Sequence, residues 1–512
     1  MLRIKIRFTM ILRLAQTAIL VAMILGLGSC KSEDEKLPAL IIAHESPFLS
    51  LDPQAYNDNA TFSVLGNVYD ALVSFDPEMK IQSALAERWE NPNDLTWRFY
   101  LRKNVRFQNG KPLTADDVVY TVERGLHGNF AGIKPYLISV KSVKMINPLT
   151  VDIITDKPSP VLLNKLTFLY ILPRSSQPDA TIEDPVGTGA YRFVRRVGNL
   201  TVVLQANHQY WRGVPSIENV RFTSFPDDEQ MVKNLLAGNV QLIRDFSEPL
   251  FDRVAKSDKA ELVTRDSLSV TFLGFNLVGE PKTNPLANQQ VRKAIYYAFD
   301  SQTLVKEALG GSANVALQLV SPAVFGYDPD YTPPLQNLEN AKKTLSNAGY
   351  PGGFNSEVYS NDPNRLNKVT VQLKQIGINA EPKLVEWKNL NDQIGHHAVP
   401  MFTLGWSCST GDAGDFLENC IHTADPAAGY GSANFAGYSN SEVDQMIEQS
   451  GITLKATERK LLLQKALAQV MTDLPYIPLF SRYRHYGVAK NLTWQPRRDG
   501  RLYAFEMTWK EP

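Results

Sequence analysis

The residues most able to do chemistry sit close together in "LGWSCSTGDAGDF", positions 404 to 416, which holds a tryptophan, a thiol, three hydroxyls, three glycines and two acids. A thiol or hydroxyl becomes a nucleophile beside a base. Carboxylates and thiols hold metals when they cluster with histidine. The chain contains no G-x-S-x-G, H-E-x-x-H, C-x-x-C or G-x-x-x-x-G-K-[ST] motif. Its histidines, at 44, 127, 208, 396, 397, 422 and 485, are scattered apart from one adjacent pair, and adjacent side chains on a strand or helix diverge. Nothing local favours catalysis, although triads also assemble from distant residues. Asp412, Asp415 and Glu418 with no base between 404 and 420 suit a cationic ligand end. Trp406, flanked by glycines and hydroxyls, is a candidate cleft wall. Trp387 lies nineteen residues before it.

Several elements must position this stretch. Ala39–Ala43 reads as a short buried strand, and Leu95–Leu101, Val140–Ile146 with Thr150–Thr155, and Tyr191–Val194 with Thr201–Leu204 read as further strands, the last two sets as antiparallel pairs. Thr114 with Asp117, Ser441 with Asp444, and Thr457 each precede an apolar periodic run and predict helix starts. Residues 364 to 376 place Leu366, Val369, Leu373 and Ile376 on one helical face before a strand-like "INAEPKLVEW". No repeat of 20 to 50 residues is evident. Mixed strands and helices predict an α/β architecture with a cleft between layers or lobes.

At 512 residues the chain exceeds a single core. Apolar content of 44% and charged content of 21% match soluble globular proteins. Fifty-three basic residues balance 53 acidic ones, and no basic run beyond the N-terminus offers a footprint for nucleic acid. Arg3, Lys5, Arg7 and Arg13 precede the apolar stretch 14 to 28, the layout of an export signal. The ending Leu27-Gly28-Ser29-Cys30 resembles a bacterial lipobox, which predicts cleavage after residue 29 and lipid on Cys30. Removing residues 1 to 29 leaves 49 basic against 53 acidic residues. With Cys30 lipidated, Cys408 and Cys420 remain; an exported compartment permits a disulfide between them, and two buried free thiols are the alternative.

Taken together, "LDPQ" at 51 to 54, "TWRFYLRKNVRFQNGKPLTADDVVYTVER" at 96 to 124, "PVGTGAYRFV" at 185 to 194, "NHQYWRGVPSIENVRF" at 207 to 222, "VRKAIYYAFD" at 291 to 300 and "AKKTLSNAGY" at 341 to 350 resemble family 5 of the extracellular solute-binding proteins, the peptide- and nickel-binding lipoproteins of ABC transporters. The resemblance runs in order through nearly all of the chain after the signal. It implies a two-lobed periplasmic-binding-protein-like fold of type II, cluster C, closing by hinge motion. Lobe I would comprise 38–70, 184–275 and 479–512, with an extra subdomain at 71–183; lobe II would be 276–478, after the signal at 1–29 and a tether at 30–37.

The resemblance also implies site residues. Gly405-Trp406 align with a G-W-x-x-D segment whose acid holds the ligand's ammonium, a position that is Ser409 here. Asp412 or Asp415 would stand in from the same loop, with Cys408 beside them. Tyr359 falls where dipeptide-binding members carry a carboxylate-holding arginine, and Arg365, the nearest base, is placed on the solvent face of its helix. Longer peptides held by main-chain hydrogen bonds fit better. Trp387, Asn57 and Asn434 complete the expected contacts. The expectation is an exported, lipid-anchored monomer that binds an oligopeptide, hands it to a permease, and uses no metal or cofactor. A nickel chelate or an oligosaccharide is the alternative solute; a secreted hydrolase is the alternative class.

Overall fold

The computed structural model describes residues 39 to 511 apart from 45, 175, 177, 178, 310 and 311. The export signal, the tether and Cys30 lie outside them. The architecture is mixed α/β and two-lobed. Twelve strands form one hydrogen-bonded network that is two sheets joined through the long strand Tyr476–Ala489.

The C-terminal half of that strand pairs antiparallel with Ala260–Asp266 and Leu242–Arg244. Beyond Leu242–Arg244 lies Leu40–His44, parallel to it and to Asn219–Ser224, so that "LIIA" is buried from both sides, as its unbroken apolar run requires. The hairpin Tyr191–Val197 and Thr201–Ala206 closes this sheet. The N-terminal half of Tyr476–Ala489 pairs with Ser269–Phe275 and Ala313–Val315, and the second sheet continues through Met401–Ser407, Phe354–Ser360 and Ile378–Leu384. The chain passes between the two sheets near residue 267 and again near 482.

A separate core fills the segment Leu72–Ile171. Its four-stranded antiparallel sheet runs in the order Ala86–Asn93, Thr96–Leu101, Thr150–Thr155, Val140–Asn147. Trp97, Phe99 and Leu101 point inward on alternate positions under the helix Ala115–His127. Thr114 and Asp117 form the predicted capping box. This unit is fastened to the first sheet by a buried ion pair: Arg124 donates to Asp52 at 2.6 and 3.2 Å and to Gln54 at 2.8 Å, all within reach of "LDPQ". The "GTG" of 187 to 189 packs directly on Val68, where a Cβ on either glycine would collide with the backbone. Thr188, Tyr210 and Trp211 converge on Asp70 at 2.9 to 3.1 Å.

Two predicted helix starts shift. Asn440 caps Ser441–Ile452 by accepting from Glu442 and Val443, while Asp444 is drawn away to Thr423. Ala456–Asp473 begins after Lys455 with no side-chain cap, so Thr457 sits inside the first turn. The helix Pro363–Lys374 buries Leu366, Val369 and Leu373 as expected. Arg365, placed on its solvent face by the sequence, is only 8% exposed and pairs with Asp362 at 3.2 Å. Among the described residues no helix is long and apolar enough to cross a membrane.

His44 ends the innermost strand against Phe48 and Phe222, with neither ring nitrogen hydrogen-bonded. Burial, helped by the charge of Arg244, holds it well below the usual histidine range. Folding thus favours the neutral ring, so stability is present above the unfolded value near 6.5 and is lost as pH falls below it. Urea unfolding at pH 7.5 and 5.5 is expected to show a loss of up to about 1.4 kcal/mol per pH unit below 6.5 that His44→Phe removes. An equal loss in the variant would rule the histidine out as its source.

Candidate ligand-binding site

The strand Met401–Ser407 carries Trp406 opposite Val270 and Ser407 opposite Ser269. A turn then closes from Gly411 N–H to the Cys408 carbonyl at 2.8 Å, with Gly411 at a φ of 71° that glycine tolerates. Asp412 caps the short helix Ala413–Phe416, and a π-turn over Leu417–Ile421 follows. The loop faces the other half of the molecule and touches it: the Asn164 amide donates to the Thr410 carbonyl at 2.7 Å.

Beside this contact is a small cavity. Ser407, Ser409 and Leu268 form one wall, and Asn57, Asn59 and the aromatics Phe62, Tyr136 and Phe168 form another. Tyr136 stacks on Phe168 at 4.1 Å, and Phe62 meets Phe168 edge-on at 5.7 Å. Burial pushes the Tyr136 phenol up to about 12, against the opposing charge of Arg501. The C-terminal segment and the shared strand supply Arg484, Arg498, Asp499 and Arg501. Arg498 also borders a second cavity of about 430 Å³ lined by Val270, Asn314, Val320 and Tyr327. The two cavities share Arg498 between the sheets.

Of the residues singled out from sequence, Asn57 and Ser409 meet at this cavity. Trp406 is half-buried beside it and donates from Nε1 to Asp415 at 3.2 Å. Asp415 also accepts from the Thr410 hydroxyl at 3.1 Å. Burial raises its carboxyl more than these bonds lower it. Asp412 is spent on structure: Arg459 donates to it twice, one bond at 2.7 Å, and Gly414 N–H at 2.8 Å. Asn434 braces its own loop, its amide donating to the carbonyls of His422 and Tyr438 and its oxygen accepting from Tyr438 N–H.

Cys408 faces the core, not the cavity. It and Cys420 are free, buried thiols rather than a disulfide, and burial pushes both well above the usual range. Trp387, 51% exposed, opens a helix after the edge strand, two strands away from Trp406. Tyr359 bonds Glu357 at 2.9 Å on the neighbouring strand. Sequence reasoning missed Arg484, Arg498, Arg501 and the three aromatics. A signal for the arginines was present in "RRDGR" at 497 to 501, a dense charge cluster around an Asp-Gly turn.

Two lobes joined by paired crossing strands around a cleft define a solute receptor. Residues 80–427 match the family model "Bacterial extracellular solute-binding proteins, family 5 Middle". The chain is 28% identical over 480 residues to heme-binding protein A of Haemophilus influenzae, covering 85% of this chain and 84% of that one. It is 28% identical over 492 residues to the glutathione-binding protein GsiB of Salmonella choleraesuis, covering 92% and 94%. The solved structure of HbpA2 from Haemophilus parasuis superposes with a TM-score of 0.83 at 25% identity, over 93% of this chain and all of that one. The chain belongs to family 5 of the bacterial extracellular solute-binding proteins. It is a binding protein of transport, not an enzyme.

Because Asp412 and Arg459 are both buried, breaking their pair leaves an unmatched charge inside. Asp412→Ala is expected to cost about 3–5 kcal/mol in urea unfolding, with ligand affinity measured below the transition unchanged. A stable variant with lost affinity would return Asp412 to the binding surface.

Proposed function

We propose that the protein is the lipid-anchored receptor of an ABC importer for peptides. It encloses a peptide between lobe I (38–70, 184–275, 479–512, with the subdomain 71–183) and lobe II (276–478), and releases it intact to the permease. The observation that carries this reading is the cleft itself, walled by both sheets across the crossing strands and lined by aromatics, amides and hydroxyls rather than by a nucleophile with its base. Asn57 and Ser409 are its polar contacts on the two sides, with Trp406 and its partner Asp415 behind Ser409. Relatives named for glutathione, a small peptide, and for heme support a solute of this size range.

Mass spectrometry of material released by denaturing protein purified without residues 1 to 30 is expected to find peptides. A metal with a small chelator, or a sugar, in their place would overturn the peptide reading. The lipobox at Leu27–Cys30 supports the anchor. Cys30→Ala is expected to move the protein from the membrane fraction to the soluble one, and a variant that stays with the membrane would refute lipidation.

A further inference from the structure

We propose that the cleft selects peptides through their carboxylates, with the buried Arg501 guanidinium as the receptor group and Arg484 beside it. The inference rests on the peptide reading above and names the charge class of the ligand.

Arg501 is 6% exposed, yet it lines the cavity. Its guanidinium carbon lies 4.5 Å from the Phe168 ring centre and 5.0 Å from that of Phe62. A guanidinium held by its faces keeps its in-plane N–H donors for another partner. Among the described residues, the side-chain acceptor it meets is the Tyr503 hydroxyl, at 3.2 Å. Among the described residues no carboxylate lies within ion-pairing distance of it. A cation so far removed from water is costly unless a counter-charge arrives.

Asp499 supplies part of that charge through space, from beyond ion-pairing distance. Asp499, the one acid in the cavity wall, turns its carboxylate to Arg497 at 3.0 Å. Burial alone would raise it, but Arg497 and Arg501 outweigh this and keep it low and ionised. Arg484 reaches Asp245 at 3.3 Å through one terminal nitrogen, and its Nε has no acceptor. Arg498 is matched by Glu78 at 2.9 Å and Asp266 at 3.3 Å. Of the three guanidiniums in the wall, Arg484 and Arg498 thus have acidic partners, and Arg501 has none within ion-pairing distance among the described residues.

The placement is built into the backbone. Gly500, at a φ of 71°, turns the chain so that Arg498 and Arg501 both face the cleft, and a Cβ there would strike Arg484. Arg244 pins the turn by donating to the Gly500 carbonyl at 2.8 Å. A ligand carboxylate in the cavity would meet the in-plane donors of Arg501 by charge-assisted hydrogen bonds.

The test starts from ligand-free protein, unfolded and refolded to remove any guest, and the peptides it captures from a casein digest. These are resynthesised with each carboxylate, C-terminal or side-chain, changed in turn to the carboxamide. Calorimetric titration is expected to show that at least one such change weakens binding tenfold or more, and identifies which carboxylate is held. In Arg501→Gln the acid and amide forms should bind alike, while Arg501→Lys, which keeps the charge, should retain part of the preference; melting curves confirm that both variants fold. If every amide binds the wild-type protein as tightly as its acid, or if Arg501→Gln keeps the preference, the proposal is overturned and peptide binding stands. If no peptide is captured, both fall together.

Discussion

The structure depends on a single strand being shared. Tyr476–Ala489 gives its first half to one sheet and its second half to the other, so the relative placement of the two lobes is fixed where its partner changes. The ladder to Ala260–Asp266 ends at the pair Asp266 and Tyr483, and the ladder to Ser269–Phe275 resumes at Thr271 and Phe480. Between them the backbone is held by hydroxyls: Ser267 donates to the Arg482 carbonyl at 2.7 Å and Ser481 to the Ser269 carbonyl at 3.0 Å. On its other edge the same stretch is paired with Ala313–Val315.

The fold was legible where sequence periodicity and packing agree. "LIIA" could only be a strand buried on both faces, and the alternation in "TWRFYL" only one buried on a single face. The stretches that carried the resemblance have a physical basis here. "LDPQ" supplies the partners of Arg124, and "GTG" with "YW" supplies the close approach and the hydrogen bonds around Val68 and Asp70. These residues fasten the subdomain to the first sheet and make no contact with the cavity. They identify the fold and say little about the ligand.

The site was less legible because side-chain type does not reveal partners contributed by distant elements. Asp412 read as free for a ligand, but Arg459, 47 residues later, takes it. Asn434 read as a contact, but its amide and oxygen are both consumed within four residues and by His422. Cys408 and Cys420 could have formed a bridge; packing in the core settles them as thiols. Asn440 displaced Ser441 as a cap for a similar reason, since Asp444, the residue that would have completed a capping box, bonds Thr423 instead.

These partnerships change the charge sense read from the acidic loop. Of its acids, Asp412 is paired with an arginine, and burial raises the carboxyls of Asp415 and Glu418. Opposite it, the turn at 497 to 501 pairs Arg497 with Asp499 and Glu506 and Arg498 with Glu78 and Asp266, and leaves Arg501 without an ion pair among the described residues. Composition counts charges without regard to who faces whom. In a cleft, where solvent screening is weak, the facing groups decide the ligand, and here they are guanidiniums and aromatic rings across from the hydroxyls of Ser407 and Ser409.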